Sequence, residues 1–224
     1  MTAKRSRKQR RRRAKAYAAR TVFVLAIVSV VLLCAFAVTK LVNRFGESSK
    51  QADSGDIIEI KKNGTVLGII EEDFSKDYYD AEGLEAMVGQ EIAEYQGISG
   101  SDTSVVLKDF HVENGMARVS IAYHSAEDYR NFNNTMLYHG KVSELAGSGI
   151  SFDRNFFSAD NKESGSAAGM ASAAADCHAV ILDEKVTVRV PGKILYYSDN
   201  VSLTGKKTAV VNGDSTESAV IIYK

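Results

Sequence analysis

The longest apolar run of the chain, residues 21–39 (TVFVLAIVSVVLLCAFAVT), contains no charged residue, no Pro and no Gly. It is apolar on all sides, unlike a surface helix, which shows a polar face. Nineteen residues at 1.5 Å rise span about 28 Å, close to the roughly 30 Å of bilayer hydrocarbon. Lipid offers no hydrogen bonds to the backbone, so such a run must close its own as a helix. Extension to Val42 lengthens the span, with Lys40 snorkelling to the interface. One transmembrane helix is expected over 21–42.

Beyond it the pattern is polar and aperiodic over 43–56, as in a juxtamembrane linker. Period-two patterning then begins. Residues 57–62 and 65–70 flank Asn63-Gly64, a hairpin signal. A two-residue turn would set Ile60 against Leu67 and Ile58 against Ile69. Leu84, Met87, Val88, Ile92 and Tyr95 recur at helical spacing, predicting a helix over 80–96 with Asp80 as N-cap and Gly97 as stop. A second hairpin is predicted around Asn114-Gly115, pairing Val112 with Ala117, Phe110 with Val119 and Val106 with Tyr123. Ser125 and Asp128 then start a short helix carrying Tyr129 and Phe132. Residues 136–150 do not resolve to one pattern.

Residues 159–176 are rich in Ala, Ser and Gly and read as a loop or linker. Six short strand-like runs follow, at 178–182, 185–190, 193–198, 201–203, 207–211 and 218–223, separated by turn residues. The order of hairpins, short helices and clustered strands predicts an α+β ectodomain with antiparallel pairing and a β-rich C-terminal part. The expected organisation is a basic tail 1–20, membrane helix 21–42, linker 43–56, α+β part 57–158, loop 159–176 and β-rich part 177–224.

Charge gives the arrangement a direction. Net charge is zero, but residues 1–20 hold ten Lys or Arg and no acid, among them Arg10, Arg11, Arg12, Arg13 and Arg20. Residues 46–224 hold all 28 acidic residues against 16 basic ones, a net charge of −12. Cations concentrate on the cytoplasmic side of a membrane span, so the tail is expected inside and the acidic part outside. Ala35-Phe36-Ala37 has the form of a signal-peptidase site, and Cys34 invites a lipoprotein reading. The long basic region and Leu33 before Cys34 favour an uncleaved signal anchor. The tail suits anionic lipid headgroups. It has no interleaved aromatics for base stacking, so no nucleic acid is expected. Cys177 is then the one exported thiol, and no internal disulfide is expected there.

Chemical motifs are scarce. His111, His124, His139 and His178 show no metal-ligand spacing, and there is no phosphate loop or nucleophile elbow. Glu71-Glu72 and Asp183-Glu184 form a carboxylate site only where the fold brings them together. No cofactor, metal or enzymatic activity is expected. Tyr78-Tyr79 and Tyr196-Tyr197 are the candidate binding surface, because tyrosine offers rigid area with a polar tip. Neighbours on a strand face opposite ways, so Tyr196 and Tyr197 do not make one platform. The leading reading is a membrane-tethered envelope protein that binds another, unknown envelope component or serves structurally. An exported enzyme with a site assembled in three dimensions, and a regulator acting through its basic tail, are the alternatives.

Two stretches add a resemblance. Residues 69–95, IIEEDFSKDYYDAEGLEAMVGQEIAEY, lead into a short amphipathic helix through an acidic, Tyr-containing segment. Residues 180–211, VILDEKVTVRVPGKILYYSDNVSLTGKKTAVV, carry a VRVPGKILY turn and an NV-x-x-T-x-KK strand. Both resemble uncharacterised membrane-anchored or lipoprotein-type exported proteins of Firmicutes, particularly clostridia. That resemblance implies the surface of a Gram-positive bacterium and supplies no activity, ligand or catalytic residue. The chain departs from the lipoprotein members in lacking a usable lipobox at Cys34.

Overall fold

The computed structural model describes residues 55–147, 155–160, 163–166, 169, 172–212 and 217–224. The basic tail with Arg10, Arg11, Arg12, Arg13 and Arg20, the span 21–42 and the linker up to Ser54 lie outside the described residues. Among those described, no helix is long and apolar enough to cross a membrane.

In chain order the elements are β1 (Ile57–Ile60), β2 (Val66–Asp73), α1 (Ala81–Ser99), β3 (Val105–Glu113), β4 (Met116–Tyr123) and α2 (Ala126–Asn133). Then come β5 (Leu137–Lys141), a 3-10 turn (Val142–Gly147), β6 (Phe156–Ser158), β7 (Ser164–Gly165) and β8 (His178–Leu182). The chain ends through β9 (Thr187–Arg189), β10 (Ile194–Ser198), β11 (Val201–Leu203), β12 (Thr208–Val211) and β13 (Ala219–Tyr223). This is an α+β fold, mostly strands.

The first sheet runs β11-β12-β9-β1-β2-β4-β3 and the second β5-β8-β13-β10-β6-β7. Strands from 57–158 and from 177–224 interleave in both, and Asp53–Lys224 forms one compact unit. The antiparallel expectation needs one correction. β1 pairs with β9 in parallel, Ile57 beside Thr187 and Ile58 beside Val188, so the first sheet is mixed. The sequence of β1, IIEI, already has the near-continuous apolar character of a strand covered on both faces.

The two Asn-Gly turns differ. At Asn114-Gly115 both residues are left-handed (φ 53° and 76°), which is the type I′ turn. Val112 pairs with Ala117 and Phe110 with Val119 as expected; an irregularity between Leu107 and Asp109 then shifts the register, so Val105 rather than Val106 meets Tyr123. At Asn63-Gly64 only the glycine is left-handed (φ 85°). Lys61 N–H donates to Thr65 O at 2.8 Å and Gly64 N–H to Lys61 O at 3.0 Å. The loop is therefore three residues with a glycine bulge. The register moves by one, with Ile60 opposite Val66 and Ile58 opposite Gly68 in place of the aliphatic pairs expected.

One buried cluster draws on both sheets, including Ile58, Ile121 and Val188 from the first and Val180, Ile194 and Ile221 from the second. Val88 and Tyr95 of α1 and Phe132 of α2 pack against it. A second cluster covers the other face of the second sheet, where Val142, Leu145, Phe156, Ala174 and Cys177 meet Ile181, Val220 and Ile222. β13 lies between β8 and β10 with every residue buried. Its unbroken AVIIY run is what a doubly covered central strand requires.

Candidate functional site

The segment between β2 and α1, residues 74–80, presents aromatic rings to solvent. Its path is fixed by two local bonds and one to the β3–β4 turn. Asp73 Oδ1 accepts from Ser75 N at 2.9 Å, turning the chain out of β2. Phe74 N donates to Gly115 O at 2.7 Å, tying the segment to the β3–β4 turn. Tyr79 N donates to Lys76 O at 3.2 Å, closing a turn that carries Asp77 and Tyr78 at its tip. Asp80 then precedes the first residue of α1, with no side-chain capping bond.

Three rings gather there. Phe74 and Tyr79 stack with centroids 4.8 Å apart at 28°, and Tyr78 meets Tyr79 edge-on at 5.0 Å. Tyr78 remains 74% exposed and Tyr79 37%. Such contacts hold rings in place. The sequence singled out Tyr78 and Tyr79; Phe74, four residues before Tyr78, completes the patch. An aromatic beside this acidic Tyr-Tyr segment was the available signal.

Tyr196 and Tyr197 divide between the faces of the second sheet. Tyr196 packs against the cluster of Val220 and Ile222, and Tyr197 against the shared core. Tyr196 also lines a groove of about 310 Å³ with Phe156, Ser158, Glu163 and Ser166. Tyr197 lies 5.9 Å from Phe157, ring to ring. These two tyrosines belong to β10, and the structure does not join them into one platform.

Two other clusters form, and the first of them escaped the sequence reading. His139, His178 and Tyr223 come together from β5, β8 and β13. The His139 and His178 centroids are 5.6 Å apart, and His139 Nε2 shares a hydrogen bond of 2.7 Å with the Tyr223 hydroxyl. Desolvation and the neighbouring His178 hold His139 below the ordinary imidazole value. Burial pushes the Tyr223 phenol up to about 12. His111 pairs with Asp109 at 2.9 Å on the surface, and His124 is exposed.

The second cluster is acidic. Asp56 Oδ1 accepts from Glu71 N at 3.4 Å. Desolvation raises Asp56 and Glu72, and each feels another carboxylate. Glu184 is raised by desolvation, countered by hydrogen bonds from Tyr129 and Thr135 and reinforced by Asp56. The Tyr129 hydroxyl lies 3.1 Å from both Glu184 oxygens, donating to the carboxylate. The fold thus brings Asp56 beside Glu71 and within electrostatic reach of Glu184. Arg118 forms an ion pair with Glu71. Among the described residues no group of three or more His, Cys, Asp and Glu is placed to hold a metal ion. No family model, curated protein or solved structure matches the chain.

Proposed function

We propose that the chain is a membrane-tethered extracytoplasmic envelope protein whose outer domain binds another envelope component through Phe74, Tyr78 and Tyr79. The single observation that carries this reading is a Tyr78 ring 74% in solvent, held edge-on against a stacked Phe74–Tyr79 pair. Rings fixed before a partner arrives lose little conformational freedom on binding, the property that makes tyrosine a frequent anchor at interfaces. The tether is supported by the uncharged run 21–39 and the ten cations before it. A bacterial cell-surface setting is supported by the resemblance of residues 69–95 and 180–211.

A second reading, an exported enzyme, has one observation behind it: Tyr129 donates to Glu184, and the Asp56 charge acts on both. Tyr129 and Glu184 satisfy one another, and the Tyr129 ring is buried. The arrangement supports a structural polar contact better than a substrate site. Sedimentation of the detergent-solubilised full chain with purified envelope material tests the binding reading. Retention should fall about thirtyfold when Tyr78→Ser and Tyr79→Ser are combined, the effect of losing one interfacial anchor. Equal retention of both proteins would overturn it.

A further inference from the structure

The residues around the aromatic patch specify the charge of what it meets. Each ring has an aspartate as its chain neighbour: Asp73 before Phe74, Asp77 before Tyr78, Asp80 after Tyr79. All three aspartates are exposed. Lys76 is the one basic residue from 63 to 107, and its charge bears on Asp73. From 77 to 107 there are seven acidic residues and no Lys, Arg or His. Four of these, Glu82, Glu85, Glu91 and Glu94, lie along α1, which begins directly after Asp80 and exposes all four. Of the neighbouring acids on β2, Glu71 is neutralised by Arg118.

We infer that this surface docks a basic polypeptide segment, its Lys or Arg side chains lying across the tyrosine rings with their charges among Asp73, Asp77 and Asp80. The inference rests on the binding reading above and adds the chemistry of the partner. An aromatic face attracts a cation through its quadrupole, and the methylene stem of Lys or Arg covers ring area while the head group reaches a carboxylate. Arg fits best, because a planar guanidinium stacks on a ring and bonds a carboxylate through two N–H groups. A neutral glycan would cover the rings and leave Asp77 and Asp80 without a matching charge. An acidic partner would add repulsion across the whole face.

The test uses the full chain in neutral-lipid nanodiscs and a fluorescent arginine–glycine repeat peptide, with glutamine–glycine and glutamate–glycine repeats as controls. The arginine peptide should bind, and Tyr78→Ser and Asp77→Asn should each weaken it about tenfold. Both positions are exposed, so neither change disturbs the core. Affinity should fall as salt rises from about 50 to about 300 mM, because the Debye length shortens and exposed charges are screened. Glutamine peptide binding as tightly as arginine peptide, or binding indifferent to salt and to Asp77→Asn, would overturn the inference. Envelope retention settles which claim failed. If it is lost in the tyrosine variant but insensitive to salt, the cationic partner is wrong and the binding surface stands. If the tyrosine variant is retained like the wild type, the surface itself is wrong.

Discussion

Replacing Gly115 with Ala tests how the fold holds the aromatic segment. Gly115 sits at φ 76° in the β3–β4 turn, and a methyl group there would lie 3.2 Å from Ser75 Cβ and 3.4 Å from Ser75 Cα. The left-handed conformation costs an L-residue about 1–2 kcal/mol. Contact at 3.2 Å forces Ser75 to give by a few tenths of an ångström. Ser75 is held through its own N–H by Asp73 and lies next to Phe74, whose N–H bonds Gly115 O. The expected loss is therefore about 2 kcal/mol, a large part of the roughly 5–15 kcal/mol that stabilises a domain. Equilibrium urea unfolding of the solubilised chain, followed by tyrosine fluorescence, measures it. The companion change Gly97→Ala should have the opposite sign. Gly97 lies inside α1 with nothing within 4 Å of the added methyl, and Ala is favoured there by up to about 1 kcal/mol. A Gly115→Ala midpoint equal to wild type would refute the left-handed turn and its contact with Ser75.

Ser125 caps α2 by accepting from Asp128 N at 3.0 Å, so Ser125→Ala should cost about 1 kcal/mol in the same unfolding assay. His139 is held below its ordinary value of 6.5, so the folded state binds its proton less readily than the unfolded chain. Its contribution to stability is complete above pH 6.5 and is lost as pH falls through the lowered value. His139→Gln should flatten that part of a stability–pH profile. Glu184 is raised above 4.5, so the folded state holds its proton more tightly and stability is lost as pH rises through the raised value. Glu184→Gln should remove that slope and leave the protein at least as stable at pH 7; a strongly destabilised variant would contradict the assignment.

What the sequence disclosed was local. Period-two alternation and Asn114-Gly115 located the β3–β4 hairpin because both residues adopt the geometry that dipeptide favours. The helix prediction succeeded because Leu84, Met87, Val88, Ile92 and Tyr95 are the less exposed positions of α1. That helix runs on to Ser99, since Gly97 stays helical and the left-handed residue is Gly100. Asn63-Gly64 gave the turn but misled on register, because the same dipeptide also serves a three-residue loop with glycine in the bulge. The parallel β1–β9 pair joins Ile57 to Thr187, and no turn signal records a partner so distant in the chain. Long-range pairing also explains the missed histidine cluster. His139, His178 and Tyr223 become neighbours only through the β5-β8-β13 order. The exposed tyrosines were legible as Tyr78-Tyr79; their anchoring by Phe74 depended on a long-range bond from Phe74 N to Gly115 O.

A photoreactive phenylalanine analogue placed at Tyr78 of the full-length chain, in intact cells, tests the binding surface most directly. Ile98 serves as control: it is 75% exposed on the same helix-bearing segment, about 25 Å along α1 from its first residue at 1.5 Å per residue. Irradiation should couple the analogue at position 78 to a defined envelope component and leave the one at position 98 uncoupled. Equal yields at both positions, or none at 78, would contradict the account.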